Sequence, residues 1–273
     1  MRIFCGILAI LLSAAAGAWA APLKVAGRFL QDAHGNNLML RGVNVPVYHS
    51  GFVDDLDVVA AAVATTHANA VRFEWWAVPQ PGATEYTTAN LDRAIQKYFD
   101  LGIIPIVDLH DLTFQFGHDD KVGPNSDGND QTVFSNTITA YWTRPDVLAV
   151  LVKHQDHIVI NIANEWGSSF YSDATPTTTN FIQNYASAVT ALRNAGVIAP
   201  LMIDAPKGFE YQFLLDHGAA LIALDPAHNT MLSTHARALT SPNPAIPRKA
   251  RRQASWTISS ASLSLRASQR ASA

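Results

Sequence analysis

The chain has 273 residues and a single cysteine, Cys5. No internal disulfide can form, so stability has to come from a buried core. Charge is sparse as well: 15% of residues are charged against 48% hydrophobic, a globular composition with a large core. Acidic residues are missing altogether after Asp225. Residues 1–236 hold twelve Lys and Arg against 22 Asp and Glu, a balance of −10, whereas residues 237–273 hold seven basic residues and no acidic one, a balance of +7. A basic end of this kind raises nucleic-acid binding as a hypothesis. The segment carries no folded recognition motif, so no nucleic-acid partner is expected. The apolar run at residues 3–16 is too short for a comfortable membrane span. It follows Met1-Arg2 and precedes Ala18-Trp19-Ala20, the layout of a secretory signal peptide cut after Ala20. Residues 1–20 are thus expected to leave, Cys5 with them. The remainder would be secreted, extracellular or periplasmic, without thiol or membrane association.

From residue 38 the rhythm is strand then helix. Residues 23–31 and 38–40 read as a hairpin around the turn-rich link 32–37. Strands are expected at 40–45, 69–73, 103–109, 158–163, 201–204 and 231–234. Helices are expected at 54–66, around Leu91, Ile95, Tyr98 and Phe99 before Gly102, and at 181–194 before Gly196. Pro105 is awkward inside a central strand. Strands alternating with helices imply a parallel sheet of an α/β protein. There is no repeat of fixed period and no linker before residue 236. The polar loop 116–130 contains Asn125-Ser126-Asp127-Gly128-Asn129-Asp130. This is similar to a calcium loop but lacks the EF-hand spacing, and a solvated loop is the better reading.

The most informative stretch runs from Ile158 to Gly167, I-V-I-N-I-A-N-E-W-G. A β-branched apolar run reads as a strand buried on both faces. It ends abruptly in Asn164-Glu165-Trp166-Gly167, and strand C-termini are where α/β folds place their chemistry. Desolvation beside the Trp166 indole suits the Glu165 carboxyl to general-acid work. Asp108, His110 and Asp111 could suggest a metal site, but no fourth ligand is spaced for zinc, and neither metal nor cofactor is expected.

Five ordered segments carry a resemblance: M-L-R-G-V-N at 39–44, N-A-V-R-F at 69–73, I-V-D-L-H-D at 106–111, I-N-I-A-N-E-W-G at 160–167 and D-P-A-H-N-T-M-L-S-T-H at 225–235. Over about residues 38–236 the chain resembles glycoside hydrolase family 5, the cellulase and β-mannanase family, and looks most like its bacterial β-mannanase branch. The resemblance implies a TIM (β/α)8-type barrel, which takes about 250 residues. It implies retaining hydrolysis of a β-1,4-linked polysaccharide, mannan ahead of cellulose, by a monomer. Glu165 would be the acid/base. Asn164 would bond the sugar 2-hydroxyl, and Arg72, ending its strand, would keep the nucleophilic carboxylate ionised. His110 would wall the reactive subsite and His235 would close the sixth strand's contribution. Tyr48, Trp75, Trp76 and Trp166 would offer flat faces to pyranose rings, or pack the barrel top.

The resemblance breaks at Arg237, which stands where the family's His-x-Tyr motif has tyrosine. Of the last 37 residues, 25 are Ala, Arg, Ser or Pro, with no Gly, Asp or Glu. No segment matches the family's nucleophile strand, and Glu210 lies at the wrong place in the chain order. The expected organisation is a barrel of about six βα units at 21–236 and a basic low-complexity tail at 237–273, disordered or read out of frame after the codon of Ala236. Strands one and six would then be open edges. Two functions follow: a glycoside hydrolase inactive as written for want of its nucleophile, or a non-catalytic glycan-binding or non-functional truncated product.

Overall fold

The computed structural model describes residues 22–47, 56–77, 86–113, 131–167 and 176–235. The expected signal segment, Tyr48, the loop 116–130 and the tail from 237 lie outside them. The chain enters through three short antiparallel strands, β1 (Lys24–Ala26), β2 (Phe29–Gln31) and β3 (Asn37–Leu38). The single strand expected over 23–31 is in fact two. The chain reverses at Gly27-Arg28, where Gly27 takes a φ of 57°, a conformation that costs glycine nothing sterically. The next turn is held by the Asp32 carboxylate, which accepts the His34 and Asn36 N–H groups.

Six parallel strands follow in sequential order: β4 (Gly42–Pro46), β5 (Ala70–Trp75), β6 (Ile104–Leu109), β7 (Val159–Asn161), β8 (Leu201–Asp204) and β9 (Thr230–Ser233). Between them run α1 (Leu56–Thr65), α2 (Thr88–Asp100), the run α3 (Gln131–Phe134), a π turn (Ser135–Thr139), α4 (Ala140–Trp142) and α5 (Pro145–His154), then α6 (Pro176–Asn194) and α7 (Tyr211–Ala223). This is a (β/α)8-type barrel of which six strands are described, with β4 and β9 as the outermost of them. The helical run from 131 to 154 was not anticipated. Its polar residues, Ser135, Asn136, Thr137 and Thr139, have middling helix propensity. Burial of Phe134, Ile138, Tyr141 and Trp142, at helical spacing, holds it in place.

Strand alternation divides the core in two. Ala70, Ile104, Ile106, Val159, Met202 and Met231 pack with Leu23 and Leu30 of the entry strands, which therefore floor the bore at the strands' N-terminal ends. Val71, Phe73, Trp75, Val107, Leu109, Ile160 and Ile203 belong to the larger cluster shared with the helices. Pro105 is accommodated for a related reason. Ile104 and His110 donate their N–H groups toward β5, and Leu109 offers its carbonyl to Asn164, so odd-numbered residues of β6 face β7. Pairing with β7 begins only at Ile106 opposite Val159, so the missing N–H of Pro105 interrupts no ladder bond.

On the outside, α2 and α5 are joined by a histidine ladder. His154 is buried, with Nε2 at 2.5 Å from Asp92 and Nδ1 at 3.1 Å from His157. His157 stacks on Phe99 at 3.8 Å. Burial, then repulsion from His154, holds the His157 pKa down at about 4, and burial also lowers that of His154. Both rings fold neutral. Their contribution is complete above the unfolded value near 6.5 and is lost as pH falls below it, that of His157 through about 4. We expect the urea midpoint to fall between pH 6.5 and 4, and His157→Phe, stacked on Phe99, to flatten part of that fall. An unchanged acid limb in the variant would contradict this.

Candidate active site

The C-terminal ends of the strands carry one polar network, and its hub is Arg72. Contrary to the sequence reading, Arg72 does not end its strand. β5 continues to Trp75, with Glu74 opposite Asp108 and Trp75 opposite Leu109. Arg72 points into the bore. Its Nη1 lies 2.9 Å from Asp108 and its Nη2 3.3 Å from Asp204, two fully buried carboxylates. Its Nε and Nη2 donate to Asn161 Oδ1 at 3.0 and 2.6 Å, and Nη2 also donates to Asn164 Oδ1 at 2.7 Å. A buried guanidinium is tolerable only when its charge and its donors are both matched in this way.

His110 follows β6. Its Nδ1 is 2.8 Å from Asp108, its Nε2 is 3.3 Å from Asn164 Nδ2, and its ring lies 5.3 Å from that of Trp76. Burial opposes a charge on His110 and Asp108 favours it, with a net upward shift in pKa. Arg72 fixes the Asn164 amide so that Nδ2 faces the ring. On the other side of the ring, Nδ1–H donates to Asp108. Asn164 Nδ2 donates as well to Thr113 Oγ1 at 2.8 Å.

Glu165 sits just beyond β7 in a left-handed conformation, φ 46°, uncommon for a residue with a side chain. Only 9% of it is exposed. Its N–H donates to Asp204 Oδ2 at 3.2 Å, and its Oε1 lies 2.5 Å from His235 Nδ1. The loop after β8 lies on the carboxyl: a Cβ added to Gly208 would come within 2.6 Å of Glu165 Cγ and Oε1. The Gly208 carbonyl in turn accepts the His235 N–H and the Thr234 hydroxyl. Burial would discharge His235. The charge of Asp204 and hydrogen bonds to Asp204 and Glu165 outweigh it and lift the pKa to about 9. Burial pushes Asp204 the other way, but His235, Arg72 and the Glu165 N–H bring it down to about 2. At neutral pH the imidazolium therefore lies between two carboxyls.

Glu165, Asn164, Arg72, His110 and His235 are thus brought together by direct contacts. Trp76 joins them through His110. Trp75 and Trp166 are turned into the helix layer. Trp75 follows the outward parity of Val71 and Phe73, donating Nε1–H to the Tyr141 hydroxyl. Trp166 packs among Phe134, Phe181 and Tyr185. Asp111 accepts the Ala77 N–H at 2.7 Å. Three network members were not singled out from the sequence: Asn161, Thr113 and Asp204. Asn161 and Asp204 carried a signal, since each is a polar residue ending an apolar strand. A cavity in the bore is lined by Gly42, Asn44, Arg72, Met202, Ser233 and His235. Arg72 and His235 of the network form part of its wall.

Comparison with known proteins agrees with this architecture. The mannan endo-1,4-beta-mannosidase of Salipaludibacillus agaradhaerens is 28% identical over 213 residues, 77% of this chain and 60% of that protein. The enzyme of the same name from Cellvibrio japonicus is 27% identical over 238 residues, 84% of this chain and 49% of that protein. The chain thus spans about half to three fifths of the length of these relatives. Among solved structures, the β-mannanase of Streptomyces thermolilacinus superposes with a TM-score of 0.59 at 25% identity, covering 78% of this chain and 64% of that one. The mannohexaose complex of Thermomonospora fusca β-mannanase gives 0.62 at 23% identity, covering 80% and 67%. The family model described as cellulase (glycosyl hydrolase family 5) matches residues 31–243, and with six sequential parallel strands gathering their polar residues at one end, this chain belongs to that family of glycoside hydrolases.

Proposed function

We propose that the site takes a β-1,4-linked mannan and that Glu165 is the acid/base of a retaining cleavage. One observation carries the reading: Asn164 and Glu165 are held side by side at the end of β7 by Arg72 and by Asp204. Glu165 would protonate the glycosidic oxygen as the bond breaks, and Asn164 would bond the sugar. Trp76 would lend an aromatic face beside His110. The mannan preference is supported by the names of the two relatives, and the Thermomonospora fusca β-mannanase, which shares the fold, is a complex with mannohexaose. A retaining cleavage also needs a second carboxylate about 5–5.5 Å from the first. Asp108 and Asp204 are fully buried and paired with Arg72, so neither is free to attack. The 273-residue chain would then supply the acid/base side of the reaction without its nucleophile, and glycan binding without turnover is the second reading that this favours.

Titration of the folded chain with mannohexaose and with cellohexaose, followed by amide NMR, tests the proposal. We expect mannohexaose to shift Asn164, Glu165 and Trp76 at lower concentration than cellohexaose. Equal response, or none, would reject the mannan reading. Export with cleavage after Ala20 is proposed on the basic start, apolar run and Ala-Trp-Ala ending. N-terminal sequencing of exported material should begin at Ala21, and a start at Met1 would reject it.

A further inference from the structure

We infer that Asp204 is a positioning residue for Glu165, acting on its backbone and its carboxyl at once. The inference deepens the proposed function and rests on Glu165 being the acid/base group. Asp204 ends β8 and is fully buried. Its Oδ2 meets three donors: the Glu165 N–H at 3.2 Å, His235 Nε2 at 3.2 Å and Arg72 Nη2 at 3.3 Å. The other ring nitrogen of His235 lies 2.5 Å from Glu165 Oε1. One carboxylate oxygen thus grips Glu165 directly through its amide and indirectly through the imidazole.

The backbone half of the grip answers a real cost. A left-handed non-glycine residue persists only where its surroundings over-determine it. At Glu165, φ 46°, the N–H aimed at Asp204 supplies that determination on one side, and Gly208, seated on the side chain, supplies it on the other. The side-chain half is electrostatic. Groups facing His235 include Asp204 from β8, Glu165 from the end of β7 and Arg72 from β5. Arg72 repels a cationic ring, and Asp204 offsets both that repulsion and burial. The ring then stays a donor at both nitrogens, and its Nδ1 orients the Glu165 carboxyl.

The two halves can be separated. Asp204→Asn keeps an oxygen for the Glu165 N–H but removes the charge. Asp204→Glu keeps the charge on a longer arm. The readouts are the His235 ring titration, by long-range nitrogen NMR, and the Glu165 amide signal. In the unaltered chain His235 should titrate near 9. In Asp204→Asn we expect it to drop to the ordinary value near 6.5 or below, with the Glu165 amide little moved. In Asp204→Glu we expect the titration to stay high and the Glu165 amide to shift. Asp225→Asn, on the separate pairing with Arg193, should leave both readouts unchanged. A His235 titration unmoved in folded Asp204→Asn overturns the inference. Should that variant not fold, an unmoved Glu165 amide in Asp204→Glu overturns it equally. These readouts need no ligand. Failure of mannohexaose to bind while they move as stated would reject the mannan reading and leave the positioning contact standing.

Discussion

The purified 273-residue chain is expected to release reducing sugar from mannan many powers of ten more slowly than ordinary glycosidases, whose turnover is typically about 1–1000 per second. Retention proceeds through a covalent glycosyl-enzyme, and a general acid by itself cannot form one. Loss of a covalent nucleophile removes a step for which neighbouring groups do not compensate. The network's carboxylates among the described residues are committed: Asp108 to Arg72 and His110, and Asp204 to Arg72, His235 and the Glu165 N–H. Freeing either would strip a buried cation of its partner. Reducing-sugar assays on mannan and carboxymethylcellulose check this, and turnover at ordinary rates on either would defeat the argument. A companion check is the gene. Translating the other two frames after codon 236 is expected to yield His-Ala-Tyr and then an apolar strand ending in Gly-Glu. If neither frame does so, the frameshift explanation of residues 237–273 fails.

Arg72→Met is expected to cost about 3–5 kcal/mol of folding stability, the scale for breaking a buried ion pair by removing one partner. The guanidinium serves Asp108, Asp204, Asn161 and Asn164 together. Methionine keeps an unbranched apolar stem but leaves the buried carboxylates without their cation, so their protonation or exposure must follow. Against a typical total of about 5–15 kcal/mol, the variant should be barely folded at neutral pH. Arg72→Lys should fall between, since an ammonium cannot reproduce the planar fork that reaches both asparagines and both aspartates. Urea unfolding followed by tryptophan fluorescence measures the effect. A midpoint for Arg72→Met matching the unaltered chain would show that the network contributes little to stability.

Much of this protein was already legible as a string of residues, because the features concerned are local. A β-branched run announces a buried strand wherever it packs, so all six parallel strands fell within two residues of their expected limits at each end, although β7 has three residues where six were read. A carboxyl ending such a run lies at the active end of an α/β fold, which singled out Asn164 and Glu165. The abrupt change of composition after Ala236 needed no fold at all. What the sequence left open depends on parity, register and long-range closure. Trp75 and Trp76 are adjacent and chemically alike, yet the pleat sends the first into the helix layer and the second against His110. Asp204 looks like any residue ending a strand until the register of β7, β8 and β9 sets it against the Glu165 N–H and the His235 ring. Gly208 and Glu165 are 43 positions apart, and no local pattern implies that one must lack a Cβ for the other to fit. Periodicity along the chain determined which segments become strands and which ends carry polar groups. Closure of the sheet decided which of those groups meet, because distance between them is set by pairing across strands and not by separation in sequence.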